Sequence, residues 1–167
     1  MNSPRRLSGP TCRRLPLTLW TESWFLSLSS MPPSGRALWL FLATRPSTTA
    51  IPGLVRAGLG AIGEELGWSR AEVDRALAEL EASGAAIVDR DSRVLFVPHV
   101  LEANPPQSPN VARGWAAALV DVPASPVLAA VVERIGAQLQ QLGPAWVRAF
   151  ASVPRTWMPR TDDAREV

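Results

Sequence analysis

Residues 59–97 constrain the fold more than any other stretch, because two helical patterns and two β-rich runs follow one another there with short connections. Apolar residues recur at helical spacing from residue 59 to residue 66, and Gly67 supplies a residue that readily adopts positive φ just past the helix end. Ser69 and Glu72 stand at the spacing of a capping box, which predicts that a second helix begins at once. A connection of about three residues between two helices is typical of a helix-turn-helix.

The second helix is predicted to stop at Gly84 and to bury one apolar stripe. That stripe consists of Val73, Ala76, Leu77 and Leu80. The β-rich runs at residues 85–89 and 93–97 are separated by polar residues 90–92, which predicts a hairpin in the position of a wing. A short strand around residues 51–55 is expected to complete a three-stranded sheet. The sequence therefore predicts a mostly helical α+β fold: a winged helix-turn-helix with a small hairpin or three-stranded sheet and additional C-terminal helices.

Composition shifts along the chain suggest four segments. Residues 1–16 hold four arginines and no acid, which indicates a disordered basic arm. Residues 17–123 form the predicted winged-helix domain, and residues 124–153 a C-terminal helical extension. Residues 154–167 are polar and mixed in charge, so a disordered tail is expected there.

Several local structures are also predicted outside the central stretch. Residues 17–19 alternate like a short strand, and Thr21 is expected to cap a brief helix. Three prolines within residues 99–110 predict an extended connector rather than a helix. Asn110 is then expected to cap a helix that ends near residue 120, and Ser125 to cap a long amphipathic helix.

Composition excludes several classes of function. All seventeen basic residues are arginine and are nearly balanced by fifteen acids, so charge alone is a weak argument for DNA binding. Cys12 and His99 are the only residues of their types, and no catalytic constellation or phosphate-binding loop is visible. We therefore expect no enzyme activity, no cofactor and no metal site. No apolar stretch is long enough for a membrane span, and no secretory signal is recognisable, so a cytoplasmic location is expected.

Arginines of the central stretch and its flanks are the candidate contacts to DNA. They are Arg70, Arg75, Arg90, Arg93 and Arg113. Arg75 lies on the predicted exposed face of the second helix, where an arginine reaches guanine in the major groove. Glu72 and Glu79 are spaced to pair with Arg75, however, and the acidic helix would be repelled by phosphates.

Each of the other arginines has a structural interpretation as well. Arg90 and Arg93 flank Asp91 and would then only solvate a hairpin tip, while the stem of Arg113 would cover apolar surface. The amphipathic helix over residues 126–142 has two interpretations too. Its apolar stripe packs back onto the domain, or it stays exposed as a surface for self-association or a protein partner.

The order of the motifs resembles a known family. The resemblance is carried by residues 20–25, 38–42, 64–69 and 76–84, the predicted hairpin, and residues 104–115. Its most specific part is the last run, from Asn104-Pro105-Pro106 to Gly114-Trp115. Together these runs look like the winged-helix domain of phage and prophage replication proteins, similar to the N-terminal domain of replisome-organiser and primosomal helicase-loading proteins.

The resemblance implies duplex DNA binding and protein assembly rather than catalysis. The leading hypothesis is a non-enzymatic, winged-helix DNA-binding protein of phage or mobile-element type that acts in replication initiation, with duplex DNA as its main partner. The alternatives are a protein–protein assembly or adaptor module and a transcriptional regulator of the same fold.

Overall fold

The structure, a computed structural model, describes residues 13–45 and 49–152. Residues 1–12 of the predicted arm, including Cys12, and the predicted tail at 154–167 lie outside the described residues. The fold is α+β and mostly helical, with one small open sheet of three antiparallel strands. At this level the predicted fold class is confirmed.

The first described elements pack as a helical layer. They are a 3₁₀ turn at Leu17–Thr21, α1 at Ser23–Leu26 and α2 at Gly35–Thr44. The strand predicted at residues 17–19 is wrong, because the chain closes there into a turn and only Leu19 is buried. The cap predicted at Thr21 is also wrong, since its hydroxyl donates back to the Thr18 carbonyl at 2.8 Å and Glu22 precedes α1.

The central pair of helices forms where the sequence predicts it. Helix α3 spans Leu59–Leu66, Gly67 ends it in the left-handed region with φ 70°, and α4 spans Arg70–Ala82. The capping box is confirmed: the Ser69 amide and hydroxyl both donate to Glu72 Oε2 at 2.7 Å, and the Glu72 amide donates to Ser69 Oγ. Local hydrogen bonding therefore fixes the start of α4.

Both faces of the sheet are covered. Strands β1 (Leu54–Arg56), β2 (Ile87–Asp89) and β3 (Val94–Phe96) lie in the order β1-β3-β2. Leu54, Phe96 and Ile87 pair across the sheet on one face, while Val55, Leu95 and Val88 pair on the other. The second set faces a core built mainly from α1 to α4, and the first set faces a core built from the C-terminal half of the chain. The sheet is thus a central layer between two helical layers.

Up to residue 152, where the described part of the chain ends, four helices follow the sheet. They are α5 at Pro98–Ala103, α6 at Pro109–Leu119, α7 at Pro126–Leu142 and α8 at Pro144–Ala151. The extended connector predicted for residues 99–110 is wrong over its first part, which is α5. The prolines lie at the first position of a helix or after its end, where the missing amide proton removes no hydrogen bond within the helix. Ser108, rather than Asn110, caps α6, whereas the Ser125 cap of α7 is confirmed.

The apolar stripe of α7 packs back onto the sheet. Val127, Leu128, Val131, Ile135 and Leu139 are buried in the second core. Of the two interpretations of this helix, the structure therefore shows the buried one. Among residues 13–45 and 49–152, no helix combines the length and the apolar character that crossing a bilayer demands.

Candidate nucleic-acid interface

Helix α4 presents a narrow strip of small residues to solvent. Ala71, Ala78 and Ala82 are exposed, and Arg75 is the long side chain beside them. Arg75 Nη2 donates to the Pro33 carbonyl oxygen at 3.2 Å. Its guanidinium is therefore held at the edge of the strip by a single hydrogen bond, from which it can be released at modest cost.

The predicted pairing of Arg75 with Glu72 and Glu79 is wrong, because both carboxylates have other partners. Glu72 closes the capping box, and its pKa is lowered first by the Ser69 hydroxyl and only last by the charge of Arg75. Glu79 Oε2 accepts hydrogen bonds from the Ser29 hydroxyl at 2.6 Å and the Ser29 amide at 3.1 Å. Glu72 therefore caps its own helix and Glu79 ties α4 to Ser29, and neither acid holds Arg75.

Arg90, at the hairpin tip, binds two acids of α4. Its Nε donates to Asp74 Oδ1 at 2.9 Å, while Nη1 and Nη2 donate to the two carboxylate oxygens of Glu81 at 3.2 and 2.8 Å. Hydrogen bonds from Arg90 to Glu81 and then to Asp74 raise the pKa of its guanidinium further above its ordinary value. Arg90 therefore joins the hairpin to α4, and we call this set of three side chains the Arg90 cluster.

The other side of the hairpin tip is tied to the start of α7. Asp89 Oδ2 accepts a hydrogen bond from the Ser125 hydroxyl at 2.7 Å, and Asp89 Oδ1 accepts from the amides of Asp91 and Ser92. The hydrogen bond from Ser125, followed by those from Ser92, lowers the pKa of Asp89. Since α4 and α7 both hold it, the tip is a fixed element of the fold.

Two exposed arginines lie together at the end of the sheet next to α3. The Ala57 amide donates to the Arg93 carbonyl at 3.0 Å, which brings Arg56, at the end of β1, close to Arg93. Arg93 has a positive φ of 56°, and its stem passes over Gly58, the N-cap of α3, with Cδ 3.5 Å from where a Cβ would stand. In the described part of the chain, neither guanidinium has a hydrogen-bond or ion-pair partner. Arg56 was not among the predicted candidates, because the strand predicted around residues 51–55 ends before it, and the pairing of Arg56 with Val94 depends on a register that the sequence does not give.

Arg70 and Arg113 have different surroundings. Arg70 is the exposed first residue of α4 and, within residues 13–45 and 49–152, donates to no other group. Arg113 lies on α6, where Nη1 donates to Asn110 Oδ1 at 3.1 Å and Nε to Ser152 Oγ at 3.3 Å. Because α6 packs in the second core, Arg113 is not grouped with the arginines of α4.

Two further side chains, outside this region, make contacts between helices. His99 lies in α5, stacks on Trp24 with ring centroids 4.3 Å apart, and contacts Glu102 through Nδ1. Arg45 pairs with Glu65 although only 4% of the Arg45 side chain is exposed. This pair, which links the end of α2 to α3, could not be recognised from residues twenty positions apart.

Comparison with models of protein families, with curated proteins and with solved structures finds no match for this chain.

Proposed function

We propose that this chain is a winged-helix DNA-binding protein of phage or mobile-element type that acts in replication initiation. The observation that carries the proposal is the order of the elements: α3 and α4, joined by residues 67–69, are followed directly by the β2–β3 hairpin, and β1 pairs beside β3. In such an arrangement α4 is the recognition helix and residues 90–93 are the wing.

The acidic composition of α4 argues against DNA binding, but the ion pairs that its acids form reduce this objection. Asp74 and Glu81 share the positive charge of Arg90, so the Arg90 cluster carries one net negative charge rather than two. Partial neutralisation weakens the repulsion that an acidic helix would meet beside phosphates. Arg90 therefore acts as a positioning residue that holds the wing against α4.

The remaining arginines have defined roles in the proposal. Arg70, Arg93 and Arg56 are exposed with unpaired guanidinium groups, within the described residues, and would neutralise backbone phosphates. Arg75 would exchange its hydrogen bond to Pro33 for a base edge in the major groove. Arg113, bound to Asn110 and Ser152, is left out of the interface.

Fluorescence anisotropy with labelled duplex DNA, titrated across salt, tests the proposal. Each lost phosphate contact should reduce the slope of log K against log salt by about 0.9. The variants are Arg70→Ala, Arg56→Ala and Arg93→Gly, the last because glycine accepts the positive φ of residue 93. Arg148→Ala is the matched control, because Arg148 is exposed on α8 and equally unpaired within the described residues.

The expected result is a reduced slope for the three variants and an unchanged slope for Arg148→Ala, with unchanged circular dichroism in all four. Absence of duplex binding at about 50 mM salt, or an equal loss in the Arg148 variant, would contradict the interface. Preferential binding of single strands would contradict a duplex-reading α4.

The assignment to replication rests on the resemblance of the motifs in residues 17–123. A transcriptional regulator would use the same interface, and retention of a replicative helicase on the DNA-bound protein distinguishes the two roles. The assembly alternative was based on the acidic α4 and on the apolar stripe of α7, and burial of that stripe removes the second of these two surfaces.

A further inference from the structure

The most specific run of the sequence motifs lines a cavity that the proposed DNA interface does not use. The cavity has a volume of about 400 Å³ and lies between residues 13–14, the segment before β1, and the start of α6. Asn104, Gln107, Gly114 and Trp115 all come from the run at residues 104–115. Cavities of this size are typical of small-molecule sites.

The polar part of the lining is cationic. Arg13 and Arg14 both line the cavity, and none of the described lining residues is Asp or Glu. Arg13 Nη2 donates to the Thr49 carbonyl at 3.2 Å, and burial lowers the pKa of its guanidinium, so Arg14 is the arginine assigned to a ligand here. Gln107 is exposed and adds an amide that can donate or accept a hydrogen bond.

Asn104 holds Arg14 in place before any ligand arrives. The Arg14 amide donates to Asn104 Oδ1 at 2.8 Å, and Asn104 Nδ2 donates to the Arg14 carbonyl at 3.0 Å. Asn104 Nδ2 also donates to the Val100 carbonyl at 2.8 Å, which fixes the amide on α5. The backbone of Arg14 is thus clamped while its side chain is exposed at the cavity. Such pre-organisation reduces the entropy lost on binding.

The apolar part of the lining is exposed chiefly at Pro105 and Val111. Trp115 and Pro52 also line the cavity but are buried, so only a small part of each reaches it. A Cβ on Gly114 would meet no described atom within 4 Å, so the space in front of α6 is open at this residue. Small-molecule pockets combine such an apolar lining with a few polar groups.

We propose that this cavity binds a small aromatic carboxylate, with the carboxylate on Arg14 and the ring system against Pro105 and Val111. The site is separate from the DNA interface, so it stands whether or not the chain binds DNA.

Isothermal titration calorimetry with two probes of the same shape tests the site. The probes are 2-naphthoate and the neutral 2-naphthalenemethanol, which share a ring system and differ in charge. We expect 2-naphthoate to bind about tenfold more tightly, as for a charge-assisted hydrogen bond. Arg14→Ala should weaken 2-naphthoate about three- to tenfold and leave 2-naphthalenemethanol unchanged, whereas Arg56→Ala, away from the cavity, should change neither.

A second pair of variants tests the location. Gly114→Leu places a side chain in the cavity and should abolish binding of both probes. Gly136→Leu, within α7, is the matched control, because a Cβ there also meets no described atom within 4 Å and Gly136 does not line the cavity. Equal affinity for the two probes, no binding of 2-naphthoate at about 5 mM, or an equal loss in the Gly136 variant would overturn the proposal.

Discussion

Replacement of Arg90 by methionine should destabilise the protein by breaking the Arg90 cluster while keeping most of the apolar stem. The side chains of Arg90, Asp74 and Glu81 are 38%, 51% and 33% exposed, so solvent screens both ion pairs. Exposed pairs stabilise by about 0.2–1 kcal/mol each, and the bidentate geometry with Glu81 places that pair near the upper end. We therefore expect a loss of roughly 1–1.5 kcal/mol.

Urea denaturation measures this loss. With a slope of about 2 kcal/mol/M, the midpoint should fall by about 0.5–0.75 M. A double-mutant cycle with Glu81→Gln should give a larger coupling energy than a cycle with Asp74→Asn, because two hydrogen bonds join Arg90 to Glu81 and one joins it to Asp74. Both couplings should shrink at 1 M salt.

Arg70→Met is the control for the Arg90 variant, because Arg70 is exposed on the same helix and unpaired within the described residues. Its urea midpoint should stay close to that of the unmodified protein. Equal shifts for the two variants, or coupling energies below about 0.2 kcal/mol in both cycles, would refute the structural role of the Arg90 cluster.

Two further predictions concern backbone space and a titrating carboxylate. Gly53→Ala should lower the free energy of unfolding, measured by urea denaturation, by about 2 kcal/mol or more, because Gly53 has φ 78° and a Cβ would collide with the Val97 carbonyl. Gly114→Ala should instead raise it by about 0.5–1 kcal/mol, because a Cβ at this helical position meets no described atom within 4 Å. Asp89→Asn should lower the urea midpoint at pH 7. The pKa of Asp89 in the folded protein lies below its ordinary value of 3.8, so between these two pKa values the unfolded chain binds more protons than the folded one. The stability that ionised Asp89 contributes is therefore lost as the pH falls from 3.8 through the folded-state pKa, and the difference in midpoint between the Asn variant and the unmodified protein should vanish over that range.

Features determined by neighbouring residues were predictable from the sequence. The capping box of Ser69 and Glu72 joins residues three apart, and the hydrogen bonds involved depend on little else. Gly67 ends α3 for the same kind of local reason. The prolines of residues 99–110 were misread because proline both disrupts a helix interior and suits its first turn, and only the register of α5 and α6 decides between these effects.

The arrangement of the candidate sites was not predictable, because it depends on contacts distant in the chain. The partners of Arg90 lie 9 and 16 positions away, and the side chain faces α4 rather than solvent beyond the tip. Asn104 clamps Arg14 across 90 positions. Residue spacing identifies which side chains are charged, but the tertiary fold determines which of them remain available to bind.

The double coverage of the sheet bears on how its strands find the correct pairing. In a sheet with one solvent-exposed face, a shift of the strand register by one residue is unfavourable because it exposes the apolar side chains of that strand to water. Here Val94 and Phe96 face one core while Leu95 and Val97 belong to the other, so a slipped β3 would still bury apolar groups on both sides. Alignment must then be selected by side-chain shape and by the hydrogen bonds that anchor the hairpin tip to Ser125 and Ala124. Those few polar contacts would therefore help to select the correct register of β3 among alternatives that bury similar amounts of apolar surface.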